Sequence, residues 1–420
     1  MALTITDVHG VEILDSRGRP TLSVTMTAAG GAVARAGVPS GASTGSGEAA
    51  ELRDGDPTRF SGLGITHALE HVKGEIAETL RGRSFTSFEE IDALLIDLDG
   101  TANKARLGAN ALTGVSMASA RLFAVVSEVP LWQELEQCNG DARLPVPHFN
   151  VVNGGAHAPN ELAFQEFMLA PLGARDMASA VRAGAEVYQA LRRRLLERKL
   201  SVGLGDEGGF APEIDVPEEV LSLLVGAISD AGYEAGRSGV SIALDPAANG
   251  FFAEGRYRVG RESLGTGDMI DRYEQIVSEF PVWSLEDGLA EGDDQGWVQL
   301  TERLGERIQI VGDDNFVTNP SIIAKAIERH IGNASLIKVN QIGTVTETLR
   351  AMQVCRDGGY AQMISHRSGE TDDSFIADLA VGSGCGQIKS GAPARGERVA
   401  KYNRLLEIED ANRLPFGLAS

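Results

Sequence analysis

"IQIVGDDNFVTNPSIIAKAIERHIGNASLIK", residues 308–338, holds two short apolar runs with an amphipathic stretch between them. Ile308, Ile310 and Val311 lead into Asp313 and Asp314, and Leu336 and Ile337 lead into Lys338. "SIIAKAIERH" has the spacing of a helix, so the segment reads as strand, helix, strand, the unit of a parallel sheet. Each apolar run closes on a charge. Lys338 is the odd one: Leu336, Ile337, Lys338 and Val339 read as a buried strand, and a buried ammonium is costly unless it is paired or its pKa falls.

The same ending recurs outward from this unit. "SIALD" closes on Asp245, "VWSLED" on Glu286 and Asp287, and "GQIKSG" holds Lys389. "AQMISHRS" leads to His366, Arg367 and Ser368; earlier, "AFQEFM" carries Glu166 and "SVGLGDEGG" carries Glu207. The spacing is roughly 25–40 residues, the length of a βα unit. In a (β/α)8 (TIM) barrel the ends of all strands meet at one mouth, where active sites are built. A doubly wound open sheet is the rival, but it gathers its site at one switch point. The expected fold class is therefore α/β, a TIM barrel over residues 141–420.

Residues 1–140 have another rhythm. Val11, Ile13, Leu22, Val24 and Met26 alternate across the turn-rich "DSRGRP", and helical stretches follow, including "GANALTGVSMASARLFAVVSEV". Strands followed by helices predict a compact α+β unit.

Bulk properties narrow the function. The 420 residues carry a formal charge of −21, 43% hydrophobic and 23% charged residues. With no basic stripe to neutralise phosphates, a nucleic-acid partner is not expected. The start "MALTITDVHG" has no leader pattern and no run approaches the ~18 apolar residues of a membrane span, so no membrane partner is expected. Cys138, Cys355 and Cys385 lack metal-ligand spacing and read as buried thiols, consistent with a reducing cytoplasm.

Asp245, Glu286 and Asp313 end three successive strands. Converging carboxylates repel unless a cation lies between them, and an all-oxygen set suits Mg²⁺ or Mn²⁺. Lys338 beside such a cation and Lys389 is driven toward the neutral form, which is a general base; the other reading is a salt bridge to an aspartate. Glu207 lies in a glycine-rich turn suited to close approach of a ligand, although an ordinary Asp-Glu turn looks the same. Arg367 and Ser368 suit a phosphate, and Lys389 a carboxylate. "SGASTGSGE" lacks the ending of a P-loop and reads as a loop. His157 sits in another glycine-rich loop, "NGGAHAPN"; His9, His67, His71, His148 and His330 read as structural.

The whole chain resembles the enolase family. The stretches that carry the resemblance are "EILDSRGRPT", "VPSGASTGSGEAAELRDGD", "GANALTGVS", "VVNGGAHA", "QEFMLAP" and "GLGDEGGFAP", then "SLEDGL", "IVGDDNFVTNP", "LIKVNQIG", "SHRSGETDD", "ADLAVG" and "GQIKSGAPAR". The resemblance implies an N-terminal α+β capping domain, an enolase-type barrel, two Mg²⁺ ions per active site and a homodimer or larger homo-oligomer. It implies Asp245, Glu286 and Asp313 as ligands of the first Mg²⁺ and Ser43 as a ligand of the second. Lys338 resembles the base acting on 2-phosphoglycerate, Glu207 the acid, Glu166 its assistant and His157 the closing loop histidine. Arg367 and Ser368 (with His366 beside them) resemble the phosphate contacts, and Lys389 the carboxylate contact.

Five positions depart from the family pattern: Asn249 and Gly250 after Asp245, Asp294 where a tryptophan is usual, Gln189 and Gly396. Several are expected just behind the metal ligands or along the barrel rim. They leave two further readings beside the dehydration of 2-phosphoglycerate: a paralogue making carboxyphosphonoenolpyruvate or acting on a related phosphorylated carboxylate, and a non-catalytic scaffold.

Overall fold

A computed structural model describes residues 2–41, 45–139 and 141–419. The N-terminal part opens with β1 (Leu3–Leu14), β2 (Pro20–Ala28) and β3 (Val33–Gly37), joined later by β4 (Ser84–Phe85). They form an antiparallel sheet in the order β3-β2-β1-β4. "DSRGRP" is the β1–β2 turn: Asp15 Oδ1 accepts from the backbone N–H of Arg17 at 2.8 Å and of Arg19 at 2.9 Å. Leu22, Val24 and Met26 are buried as expected, whereas Val11 is 48% exposed and Ile13 half-buried. The β1 residues that reach the core are Leu3, Ile5 and Val8, with a register irregularity between Ile5 and Asp7 that breaks simple alternation.

Helix Ala109–Val126 lies across this sheet. Its small residues permit the approach: a Cβ on Gly114 would lie 2.6 Å from Val24 Cγ2. By length and composition this helix could cross a bilayer, but 83% of it is buried inside the protein, as a core helix is. Helix Leu131–Asn139 then packs on helix Phe375–Gly382, joining the two parts of the chain.

The second part builds β5 (Val146–Asn153), β6 (Glu166–Ala170) and β7 (Ser241–Asp245), a small antiparallel flap of β8 (Phe252–Ala253), β9 (Arg256–Val259) and β10 (Glu262–Leu264), and then β11 (Val282–Glu286), β12 (Gln309–Gly312), β13 (Ala334–Ile337), β14 (Ala361–Ser365) and β15 (Gln387–Lys389). A closed barrel runs β11-β12-β13-β14-β15-β5-β6-β7. The expected barrel is present, but its strands are not all parallel. β6 is antiparallel to both β5 and β7. Residues 154–165, between β5 and β6, hold no regular element beyond the single turn Gly155–His157, and so no helix to carry the chain back for a parallel crossover.

That reversal explains two placements. Glu166 is the first residue of β6, not the end of a strand, yet it pairs in register with Asp245 at the end of β7, so both face the mouth. From β6 the chain climbs by helix Met177–Glu197 and descends by helix Pro217–Asp230 before β7. The loop between these helices, which carries Glu207, is thereby left at the mouth.

Candidate active site

Lys389, the last residue of β15, stands at the centre of the mouth. Its Nζ lies 2.7 Å from Glu286 Oε1, 3.3 Å from Asp245 Oδ2 and 3.4 Å from Glu166 Oε1, all of them buried. Burial opposes its charge, but the three carboxylates override burial and raise its pKa. Glu286 and Glu166 are pushed well above the carboxylate range, first by burial and then by neighbouring carboxylates.

Lys338 is not an interior strand residue. It follows β13 and opens the short helix Val339–Ile342, with Val339 already helical. Its Nζ contacts Asp313 Oδ2 at 2.5 Å. The ion pair to an aspartate, the other reading of the sequence, is what these residues form: burial favours neutrality, but the touching carboxylate outweighs it and raises the Lys338 pKa. Gln341 Nε2 holds the other Asp313 oxygen at 2.9 Å, and Thr318 Oγ1 donates to Gln341 Oε1 at 2.6 Å.

A second group surrounds His157. Its Nε2 is 3.7 Å from Glu207 Oε1 and its Nδ1 3.9 Å from Glu166 Oε1. Burial raises the Glu207 pKa, but His157 and His366 lower it further, leaving it below the usual range. Asn150 Nδ2 donates to Glu207 Oε2 at 2.9 Å, and His366 Nε2 lies 3.3 Å from the same oxygen.

Arg367 and Ser368 follow β14. The Arg367 guanidinium is buried, bonded to Glu48 and Asn340. Ser368 Oγ accepts from Arg17 at 3.3 Å, and Arg17 also donates to the carbonyls of Ser40 and Gly41. The loop of "DSRGRP" thus braces the phosphate-type contacts from the N-terminal part. Ser43 lies outside the described residues.

Lys338, Glu207, Glu166, His157, Arg367, Ser368, Lys389, His366, Asp245 and Asp313 all line one cavity, in which their ion pairs leave about 20 Å³. Glu286 joins them through Lys389. Several neighbours carried no local signal. Arg398, Glu48, Gln341, Asn150 and Arg17 act through tertiary contacts; only the "DSRGRP" and "SGASTGSGE" stretches hinted at two of them.

The donor set suits a hard cation. Glu166 Oε2 and Glu286 Oε2 are buried without a hydrogen-bond partner, and such oxygens call for a positive ligand. Among the described residues, His157, Glu166 and Glu207 bring ligand atoms within 4.8 Å of one another, as do Asp287, Asp313 and Asp314. Asp245 and Glu286 fall in neither group; Lys389 bridges them instead.

Of the departures, Asn249 alone touches this region: Nδ2 donates to Asp314 Oδ2 at 3.0 Å, and Oδ1 accepts from the Glu291 N–H at 2.7 Å. Asp294 is not behind the metal ligands but pairs with Arg329 on the surface. Gly250 and Gly396 have open space where a Cβ would stand, and Gln189 is exposed.

A barrel mouth with a buried lysine on an aspartate, two buried glutamates facing one histidine and carboxylate oxygens short of partners defines an α/β-barrel enzyme of metal-assisted proton transfer. Residues 5–135 match the family described as "Enolase, N-terminal domain" and residues 141–413 "Enolase, C-terminal TIM barrel domain". A protein named Enolase from Rubrobacter xylanophilus is 54% identical over 409 residues, 97% of this chain and 95% of its own length. The chain belongs to the enolase family, and is a carbon–oxygen lyase of the phosphopyruvate hydratase type that uses a divalent metal.

Proposed function

We propose that the chain dehydrates 2-phosphoglycerate to phosphoenolpyruvate and water, with two Mg²⁺ per active site. The observation that carries this is the convergence of Lys338, Glu207 and Arg367 on one cavity: a base, an acid and a phosphate contact around a single small ligand. Asp245, Glu286 and Asp313 would hold the first ion; Ser43 is assigned to the second by family resemblance. Bound there, the metal supplies the positive charge that stabilises the carboxylate dianion formed when the α-proton leaves.

The remaining work falls to the chain's own groups. Arg367 and Ser368, backed by His366, hold the phosphate, and Lys389 faces the substrate carboxylate. Lys338 takes the α-proton at Nζ only as the neutral amine, so its own ammonium proton must first pass to solvent, a loss favoured when Asp313 serves a cation instead of the lysine. The Glu207–Glu166 pair returns a proton to the departing hydroxyl, which leaves as water, and His157 closes the loop side.

The departures do not favour a phosphonate-pathway substrate. Asp294, Gln189 and Gly396 lie away from the reacting groups, and Asn249 only supports Asp314. Residues 1–140 are proposed to act as the capping domain of a 141–420 barrel in a cytoplasmic homodimer. A steady-state assay with 2-phosphoglycerate and saturating Mg²⁺ tests the reading. The expected turnover is ~1–10³ per second, abolished by chelation. Turnover below ~1% of that range, from folded, metal-loaded protein, would shift the assignment to the paralogue.

A further inference from the structure

Glu48 belongs to the N-terminal part and closes the loop "SGASTGSGE", and its carboxylate is seated on the arginine assigned to the phosphate. Arg367 NH1 donates to Glu48 Oε2 at 3.1 Å, and NH2 lies 3.1 Å from each Glu48 oxygen. The two side chains are 3% and 9% exposed. NH1 also donates to Asn340 Oδ1 at 2.9 Å. A Cβ on Gly41 would stand 2.1 Å from Arg367 NH2, so the loop backbone lies directly against the guanidinium.

We infer that Glu48 is a positioning residue for phosphate recognition, fixing the plane and direction of the Arg367 guanidinium from the opposite part of the chain. The inference rests on the reading of Arg367 as the phosphate contact. A guanidinium is planar, and a carboxylate across its two terminal nitrogens fixes that plane as a single hydrogen bond does not. Glu48 is itself held: Oε1 accepts from the Gly45 N–H at 3.2 Å and from Gln341 Nε2 at 3.3 Å. Gln341 Nε2 also reaches Asp313 Oδ1 at 2.9 Å, the carboxylate paired with Lys338. One carboxylate from the N-terminal part therefore sets the phosphate arginine and touches the network of the proton-transfer lysine.

A competing role is physically available, because a carboxylate on Arg367 could hold the place of the phosphate and oppose its binding. The anchoring of Glu48 by Gly45 and Gln341 argues for a fixed support instead. The two roles predict opposite signs. Glu48→Ala should raise KM for 2-phosphoglycerate at least ~10-fold, lower kcat by less, and weaken inorganic phosphate binding measured by calorimetry. Glu48→Gln, which keeps an acceptor oxygen at the same length, should recover part of the KM loss; it decides the question if the alanine variant does not fold. KM within twofold of wild type in a folded variant, or tighter phosphate binding, would overturn the inference. Arg367→Gln is the separate control: an unchanged KM there refutes the phosphate role of Arg367 itself, whatever Glu48 does.

Discussion

Arg398 donates to Nδ1 of His366 at 2.5 Å, and this contact determines where the imidazole keeps its proton. Arginine only donates, so Nδ1 is the acceptor and the neutral ring carries its hydrogen on Nε2, facing Glu207 Oε2 at 3.3 Å. Burial holds the His366 pKa down to about 4, which keeps the ring neutral at pH 7. Arg398 is fully buried and also donates to the carbonyls of Arg367, Ser368 and Asp206, so one side chain ties both halves of the site.

Arg398→Met should therefore lower kcat by ~10–100-fold, the usual scale for groups that orient the groups contacting ligand, with a lowered Tm. Arg398→Lys should restore part of kcat by donating one bond. Unchanged kcat in the methionine variant would show that His366 orientation is not set this way.

Lys338 and Glu207 are separated between two half-reactions. Lys338→Ala should abolish exchange of the substrate α-proton with solvent, followed by NMR in D₂O. Glu207→Gln and Glu166→Gln should each keep much of that exchange while losing elimination. Exchange at the wild-type rate in Lys338→Ala would remove the lysine from the role of base.

Metal binding should be visible in stability as well as in turnover. A cation bound only by the folded state adds about 2.7 kcal/mol at one hundred times its Kd. Mg²⁺ should raise Tm of the wild type and much less that of Asp245→Asn, with the fold retained by circular dichroism. Equal Tm responses in the two proteins would exclude Asp245 as a ligand.

Asp92 predicts a pH dependence away from the site. It is buried, and its Oδ2 accepts from Thr346 N at 3.0 Å and Thr346 Oγ1 at 2.6 Å, in the first turn of helix Val345–Asp357. Burial, against the Thr346 bonds, pushes its pKa up to about 6 from 3.8. The folded state then binds more protons than the unfolded state between those values. The Asp92 contribution is full below about pH 3.8 and is lost as pH rises through about 6, by up to about 3 kcal/mol. Asp92→Asn should remove this component from the slope of denaturation free energy between pH 4 and 6. Identical slopes for the two proteins would refute it.

Much of the architecture was legible in the chain itself. Apolar runs alternating with helical stretches specify a barrel because strand and helix periodicities are local, and the charged endings mark the mouth because every strand brings its end there. The side chains gathered at the mouth were found in this way, and the resemblance supplied their proposed roles. The reversed strand β6 was not legible: its direction depends on the connection before it, and Glu166 reads the same in either sense. Nor was the choice of Asp313 as the partner of Lys338, since the two come from different strands and meet only in the closed barrel. Glu48 and Arg398 escaped for the same reason. Their bonds to Arg367 and His366 span 319 and 32 residues of chain, and only the closed tertiary structure brings those donors and acceptors within reach.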